Sequence, residues 1–472
     1  MISSMNFNSR ILAAVMATAL VGCGTIRSAR EAQRAVEPVA NGSDKLTGRI
    51  SLAGATLPEL VDFAITNRPS MTSAALAVRD ARLAMKEIAA DAPLASSTPW
   101  NAAGVSASLG YSESSKAAHF SDLKAKTRRG SATGTLSLDL LVWDFGRNAA
   151  RAKSQAENVL AAESSLFAEG FSVFDEVSSA YFSLVQSEAL REVAVTNLGQ
   201  YADHLARAED LFAAGEAKKL DVLKARLDFA NACESLVQAS NDVAVAGANL
   251  MAALGIDASQ GDYLSVLGER TATFGEAKPW FAPTLSDAES EFDFARTNAP
   301  SMLIMRARLR AASAQVDYAI ADLKPSVSAS LSLNWTDPLW YWRWGTSAVQ
   351  SLFTGWRKTT SVERAVVAME SAKSSVDELE RTLSRQIEVA IAERDNAREA
   401  LRTASESLRK AQENLETVTS QYEVGDVSRV EFSDAVAALT DAHAGRVRAF
   451  CRGQSSEAAL FALVGRDPEY VH

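Results

Sequence analysis

Apolar side chains recur along two long segments of the chain at alternating spacings of four and three residues. The same seam occurs twice, 210 residues apart. Its positions are Ala194, Leu198, Tyr201, Leu205, Ala208 and Phe212 in the first segment and Ala397, Leu401, Ala404, Leu408, Ala411, Leu415, Val418 and Tyr422 in the second. This spacing is typical of coiled-coil packing. It predicts long helices over 146–214 and 355–424, each roughly 105 Å long.

Three further segments show that the chain is an internal duplication. The matched pairs are TNRPSM (66–71) with TNAPSM (297–302), LFAAGEAKKLD (211–221) with QYEVGDVSRVE (421–431), and LMAALGID (250–257) with LFALVGRD (460–467). Because the pairs follow one another in the same order, both halves are predicted to repeat one arrangement of elements.

Each half is predicted to contain a helix, two strands, the long helix, a glycine turn and a shorter helix. The remaining predicted helices cover 57–91, 217–254, 286–323 and 427–464, and the predicted strands cover 103–111, 131–143, 326–335 and 344–353. The predicted divisions are a signal peptide (1–22), a lipidated tether (23–55), the first repeat (56–257), an equatorial linker (258–283), the second repeat (284–467) and a tail (468–472).

The predicted strands carry a membrane-like pattern. In SVSASLSLNW (326–335), apolar residues alternate with serine and asparagine, as in transmembrane β-strands and also in half-buried strands of soluble sandwiches. The aromatic cluster Trp335, Trp340, Tyr341, Trp342 and Trp344 favours the membrane, because such residues prefer its interface. Four strands cannot close a membrane barrel, and open edges cannot face lipid. The sequence therefore predicts that several chains pool their strands.

The N-terminus predicts export. Arg10 precedes the apolar run ILAAVMATALVG, which is the layout of a secretory signal. Leu20-Val21-Gly22-Cys23 resembles the bacterial lipoprotein box, which implies cleavage before Cys23 and attachment of lipid, including palmitate, at this residue. A plain signal peptide with an incidental cysteine is the alternative.

Composition argues against several function classes. The formal net charge of −10 disfavours a nucleic-acid partner, which calls for a basic face. The 3 cysteines and 4 histidines show no metal-ligand spacing and no nucleophile pair. The sequence therefore predicts no metal, no cofactor and no catalytic residues, and the protein is not expected to be an enzyme.

The sequence resembles the outer membrane factor family, the TolC-like channels of bacterial efflux and secretion. The resemblance covers about 56–467 and rests on LSLDLLVWDFGRNAARAKSQA (136–156), LFTGWRK (352–358) and the tip glycines Gly215 and Gly425. It implies an α+β membrane protein with a long α-helical coiled-coil barrel and four β-strands per chain. These strands would join a shared 12-stranded transmembrane β-barrel in a homotrimer.

The function implied by this resemblance is that of a passive exit duct in the outer membrane, gated at the periplasmic coiled-coil tips. The implied partners are a periplasmic adaptor protein, which docks at the tips marked by Gly215 and Gly425, and an inner-membrane transporter. The alternative is a structural, periplasm-spanning coiled-coil lipoprotein without transport activity. The transported substrate and the class of transporter stay open.

The resemblance also implies gate residues. Tyr422 and Asp221 match a pair that links neighbouring coils, and Glu431 and Asp434 match positions where carboxylates ring the constriction. Residues three apart share one helix face, so a trimer would carry two stacked acidic rings that attract cations. A solvated helix face with a chance acidic pair is the alternative. Val427 stands where some members have an arginine, which leaves the gate network open.

Three other features concern the first tip, two cysteines and a basic segment. The tip sequence Lys218-Lys219 departs from the small and hydroxyl residues usual in multidrug pumps, so the class of adaptor stays open. Cys233 and Cys451 are expected to be lone helical cysteines rather than a disulfide. The basic segment 112–130 is predicted to be an extracellular loop.

Overall fold

A computed structural model describes residues 55–90, 103–117, 126–215, 218–257, 281, 287–336, 339–351, 355–423 and 427–468. The predicted signal peptide, Cys23 and Gly425 lie outside these residues, as does the linker apart from Phe281. The described residues form two compact units. One contains the residues up to Thr72, from Glu176 to Asp257 and from Asn414 to Val447, and the other contains the rest.

The described chain contains eight helices and four strands. The helices are α1 (Leu57–Asn67), α2 (Pro69–Ala90), α3 (Arg147–Ala213), α4 (Lys219–Ala253), α5 (Ala288–Asn298), α6 (Pro300–Ala321), α7 (Arg357–Glu423) and α8 (Arg429–Val464). The strands are β1 (Ala103–Ala117), β2 (Lys126–Trp143), β3 (Ser326–Thr336) and β4 (Leu339–Val349). Both long helices, α3 and α7, have 67 residues. Among the described helices, none combines the length and apolarity needed to cross a membrane.

The first predicted helix of each repeat is divided in two by a proline. The segments 57–91 and 286–323 were each predicted as one helix, and this was wrong. Arg68 (ψ 133°) and Ala299 (ψ 128°) adopt extended backbone conformations before Pro69 and Pro300. A proline ring clashes with a helical residue before it, but it fits well in the first turn of a new helix.

In the first repeat, the glycine that follows α4 packs against the proline break between α1 and α2. We call this contact the glycine joint. Gly255 follows α4 with φ +74°, and a Cβ atom there would lie 3.2 Å from Cγ of Arg68. Arg68 is also tied to α3, because its guanidinium donates to Glu176 at 2.6 Å. The structure thus brings together two of the duplicated motifs, TNRPSM and LMAALGID.

The second repeat has the same joint, packed more tightly. Gly465 follows α8 with φ +76°, and a Cβ atom there would lie 2.8 Å from Cδ of Pro300. Beside it, Arg466 pairs with Glu291 at 3.2 Å, and the Glu291 side chain is buried. Only glycine fits this position, because both its backbone conformation and its surroundings exclude a side chain.

The core of the second repeat lies around α7. Leu383 and Ile387 of α7 are fully buried with Met302 of α6 and Leu460 of α8. Phe281 lies nearby, with its ring 5.7 Å from that of Phe461, and its backbone N–H donates to Gln454. Burial of such side chains stabilises the folded state by about 1.5–3 kcal/mol each.

The four strands form one antiparallel sheet in the order β1-β2-β3-β4. Its register places apolar residues opposite one another on one face, as Leu136 opposite Leu333. The other face is polar. There the hydroxyl groups of Ser106 and Ser137 lie 2.7 Å apart, and Thr135 donates to Asn334 at 3.2 Å. The predicted alternation is therefore present along β3 and along the part of β2 that pairs with it, with Leu141 as an exception.

Two strand predictions need correction. β4 begins at Leu339 rather than at 344, so the aromatic cluster is paired within the β3–β4 ladder, at the end next to the hairpin turn. β1 and β2 extend into the basic segment that was predicted as a loop, pairing as far as Ala117 with Lys126. The alternation of side chains is weak there, which is why the sequence pattern ended the strands early.

Left-handed backbone turns connect the sheet to both long helices. Phe145 (φ +53°) and Gly146 (φ +89°) precede α3, and Gly355 (φ +61°) and Trp356 (φ +66°) precede α7. The starts of both helices share one acidic partner. Asp322, after α6, pairs with Arg147 at 3.4 Å and with Lys358 at 3.3 Å.

Candidate functional site

The candidate site is the pair of turns that end the long helices. At the first turn, Gly215 has φ +81° and its N–H donates to the carbonyl of Phe212 at 3.0 Å. This is the glycine reversal expected at a helix C-terminus. Of the second turn, residues 424–426 lie outside the described part, so the structure does not address Gly425. The chain is described again from Val427, and α8 begins at Arg429.

Glu431 and its neighbours form a capping box at the start of α8. The Ser428 N–H donates to Oε2 of Glu431 at 2.8 Å, and the Glu431 N–H donates to Oγ of Ser428 at 3.4 Å. Two backbone donors at the helix end are thereby satisfied. The sequence contains this signal as SRVE, although Glu431 was predicted only as a gate residue.

Asp221 occupies the matching place in the first repeat. Its carboxylate accepts a hydrogen bond from the Lys218 N–H at 3.4 Å, and its own N–H donates to the Lys218 carbonyl at 2.9 Å. Lysine has no side-chain acceptor, so this box is half formed. Asp221 and Glu431 thus share one structural role at equivalent positions, as helix-start carboxylates favoured by the helix dipole.

Tyr422 belongs to an aromatic trio that the sequence patterns did not predict. Its ring stacks on Phe432 with centroids 5.1 Å apart and planes inclined by 23°. The His204 ring lies 5.9 Å from Tyr422 and 5.3 Å from Phe432. His204 is only 2% exposed. The trio joins α7 and α8 of the second hairpin to α3 of the first.

The predicted Tyr422–Asp221 link stays a prediction. The hydrogen bonds placed on Asp221 come from its own turn, while the ring contacts of Tyr422 are with Phe432 and His204. The only sequence signal for His204 was its position beside Leu205 on the coiled-coil seam. Helical periodicity places a residue near a seam, but it does not tell which partner helix covers it.

Glu431 and Asp434 are both exposed on the first turns of α8. In a single chain they form no ring, so the acidic constriction also stays a prediction. The first repeat has Lys224 where the second has Asp434. An acidic pair at this register is therefore confined to the second hairpin.

A cavity of about 340 Å³ lies between α3 and α8. It is lined by polar groups that include Glu192, Asn197 and His443, and Thr440 donates to Asn197 at 3.0 Å. Burial, together with the nearby charge of Arg446, lowers the pKa of His443. The protonated form of this imidazole is therefore disfavoured in the folded chain.

The two described cysteines are free thiols. Cys233 is half-buried on α4, and Cys451 is buried on α8, where burial raises the pKa of its thiol to about 12. A thiol with such a pKa is unreactive near neutral pH. Both cysteines are therefore the lone helical cysteines that the sequence predicted.

These features define a class of protein, the outer-membrane channel subunits built from duplicated coiled-coil hairpins and a shared sheet. A family model described as "Outer membrane efflux protein" matches residues 60–256 and 293–466. The chain belongs to this family, and it is an outer-membrane efflux channel, the exit duct of a tripartite system. A search of curated proteins finds no match.

Solved structures share the fold at low sequence identity. A membrane protein from Pseudomonas aeruginosa is 20% identical, with a TM-score of 0.74 over 87% of this chain and 94% of that chain. The outer membrane protein VceC from Vibrio cholerae is 17% identical, with a TM-score of 0.71 over 87% and 96%. The open state of the MtrE outer membrane channel from Neisseria gonorrhoeae is 16% identical, with a TM-score of 0.71 over 87% and 89%.

Proposed function

We propose that three copies of this chain form one channel, in which a shared 12-stranded barrel crosses the outer membrane. The carrying observation is the sheet, which has one apolar face and ends in β1 and β4. A four-stranded sheet cannot close on itself at membrane size, and unpaired edges in lipid leave backbone groups unsatisfied. Pairing β4 of one chain with β1 of the next satisfies both edges and continues the antiparallel order.

The two faces of the sheet fit this assembly. Val105, Leu331 and Trp342 belong to the apolar face and are 68%, 47% and 62% exposed in the single chain. Exposed apolar surface of this extent is suited to lipid. The face with serine, threonine and asparagine is suited to a water-filled lumen, through which solutes leave the cell.

The second hairpin tip is proposed as the gate. Glu431 and Asp434 of three chains would form the acidic rings, and Tyr422 would link to Asp221 in the closed state. Support comes from the exposure of both carboxylates and from the capping box, which fixes the start of α8. Because the box uses backbone donors, it leaves the negative charge of Glu431 in place.

The proposed partners are a periplasmic adaptor protein, which would dock at the tips of Gly215 and Gly425, and an inner-membrane transporter, which would drive transport. Lys218 and Lys219 add two cations to the first tip, and Glu216 and Asp221 balance them. The net charge of this tip therefore favours no particular class of adaptor. A lipid at Cys23 is proposed to anchor the chain to the outer membrane, and mass spectrometry of the mature N-terminus tests this anchor.

The experiment that tests the function is single-channel recording of the purified trimer in planar bilayers. The expected result is a discrete conductance that rises when Tyr422 is replaced by alanine. If neither the parent protein nor a variant with an opened tip conducts ions, the channel proposal is refuted. The chain would then be a structural spacer of the cell envelope.

A further inference from the structure

Two opposite charges lie on the polar face of the sheet. Within 104–110, 133–143, 326–336 and 339–349, the charged side chains are Asp139 on β2 and Arg343 on β4. Both side chains are exposed. All other residues on this face of these segments are neutral, and most are small. The two charges therefore dominate the local electrostatics of this face.

The ladder register fixes where these charges lie. Asp139 pairs with Gly104 on one side and with Ser330 on the other, and Ser330 pairs with Gly345. Arg343 pairs with Ser332, one polar row away from Ser330. Residues at i and i+2 of a strand point to the same face, so both charges project on the side of Ser330 and Ser332.

Local contacts hold both side chains on this face. Ser137 donates to Oδ2 of Asp139 at 3.4 Å. The guanidinium carbon of Arg343 lies 5.9 Å from the centre of the Tyr341 ring, two residues earlier on the same strand. Such a cation–π contact stabilises a guanidinium over an aromatic ring by about 0.5–1 kcal/mol for exposed groups.

We propose that Asp139 and Arg343 form a ring of alternating charge inside the shared barrel, which determines how charged solutes pass the exit. This inference rests on the trimeric channel proposed above. In the strand order of three joined sheets, each chain contributes Asp139 on its second strand and Arg343 on its fourth. One strand always separates an aspartate from the next arginine, within a chain as well as between chains. Neighbouring charges are thus about 10 Å apart across the strands.

The ring is neutral overall, unlike the acidic rings proposed at the tip. A 12-stranded barrel with strands tilted by about 40° has a backbone diameter of about 24 Å. The Debye length is about 10 Å at 0.1 M salt, so each charge influences ions that pass close to it along the wall. Three positive and three negative charges in alternation cancel at the axis. The exit therefore discriminates little between anions and cations, and small zwitterionic solutes meet both charges.

A cysteine reporter tests the ring without involving the tip. Ser330 is exposed and lies directly opposite Asp139 and diagonal to Arg343. Ser330→Cys is made in a Cys233→Ser background, which removes one of the two described thiols. Cys451 is kept, because it is buried and its raised pKa makes it unreactive. Trimers in proteoliposomes are treated with one of two methanethiosulfonate reagents, a cationic trimethylammonium derivative or an anionic sulfonate derivative. The salt concentration is low, roughly 10 mM, so that screening is weak. The ratio of the two rates reports the local potential.

Opposite shifts are expected from the two neutral variants. A unit charge about 6–8 Å away in water changes the local concentration of a monovalent ion by about two- to threefold. Asp139→Asn should lower the cation-to-anion rate ratio by about tenfold and Arg343→Gln should raise it by about fivefold, with both shifts shrinking at about 1 M salt. Combining both substitutions should leave a ratio about twofold below that of the parent, because the two effects largely offset each other.

Controls separate this inference from the function on which it rests. Leu331→Cys lies on the apolar face and should not react, and Arg409→Gln on α7 should leave the ratio unchanged. Equal ratios in the single variants, shifts of the same sign, or an unreactive Ser330→Cys reporter would each overturn the ring. If one of these results is found and the parent trimer still conducts ions, the charge ring is refuted and the proposed channel is not. If the parent trimer does not conduct ions, the proposed channel itself is refuted.

Discussion

The two hairpin tips have the same backbone plan and different chemistry. Asp221 and Glu431 occupy equivalent positions, and each binds a backbone N–H at the start of its helix. Three residues further on, the first tip has Lys224 and the second has Asp434. The helix start is thus preserved by the duplication, while the charge pattern beyond it has diverged.

The aromatic residues diverge in the same way. Tyr422 and Phe432 stack in the second tip, whereas the first tip has Phe212 and Val222 at the matching positions. Phe212 is 47% exposed. The first hairpin is instead joined by an exposed pair between Arg226 and Glu209 at 2.7 Å, and such pairs contribute at most about 1 kcal/mol. The second tip therefore carries the specific contacts, and the first tip offers a more open surface.

The glycine joints give the largest expected difference between the repeats. Gly465→Ala should destabilise the protein by about 2–5 kcal/mol, because a left-handed alanine is strained and its Cβ meets the rigid ring of Pro300. Gly255→Ala should cost only about 1–2 kcal/mol, since the side chain of Arg68 can move away. Guanidinium unfolding followed by circular dichroism measures both. Equal losses would mean that the two joints tolerate a side chain alike.

The aromatic trio gives the next largest effect. Phe432→Ala should weaken the second tip by about 1–3 kcal/mol, because a half-buried ring loses its stacking on Tyr422 and its contact with His204. Hydrogen exchange at the start of α8 should speed up, and channel conductance should rise. Phe212→Ala is the matched control in the first tip and should change exchange by less than about 0.5 kcal/mol. If both variants behave alike, the trio has no special role.

Substitution of Glu431 separates its cap from its charge. Glu431→Gln keeps a capping side chain and removes the charge, whereas Glu431→Ala removes both, at a cost of about 0.5–1 kcal/mol. Both variants should reduce cation selectivity in planar bilayers, and Asp434→Asn should add to this loss. Only the alanine variant should speed up hydrogen exchange in the first turn of α8. Cation selectivity that survives Glu431→Gln combined with Asp434→Asn would refute the acidic rings.

The smallest expected effect is a dependence of folding stability on pH that comes from His443. It is confined to the second repeat, because the first repeat has Cys233 at the equivalent position. The pKa of His443 is lowered from 6.5 in the folded chain. As the pH falls through 6.5, the unfolded chain therefore takes up the proton first, and the folded state loses stability. His443→Gln should reduce this acid loss and leave stability at about pH 8 nearly unchanged. An unaltered pH profile in unfolding experiments would exclude this histidine as the cause.

Patterns that repeat over many residues predicted the helices and strands most accurately. The seam spacing predicted the C-terminal ends of α3 and α7 closely, and the alternation of serine with apolar residues predicted both ends of β3. The breaks at Pro69 and Pro300 were missed although the sequence contained the signal, because a proline disfavours the helical conformation of the residue before it. The start of β4 was missed because a run of aromatic residues shows no alternation of polarity.

The site was less predictable, for a physical reason. Glu431 could have been recognised as a capping residue, since the box SRVE is local in sequence. The contact of His204 with Tyr422 joins residues 218 positions apart, and no local pattern encodes such a partner. Gate rings and links between chains depend on symmetry that a single chain does not contain.

The glycine joints carry a consequence for the origin of the chain. Gly255 meets Arg68 within the first repeat, and Gly465 meets Pro300 within the second. Each repeat therefore closes its own joint and needs nothing from the other half to do so. A half-length ancestor with two strands would have contained the complete joint, and a ring of six such subunits would supply as many strands as the proposed trimer. Fusion of two genes would then have allowed the two tips to diverge from each other.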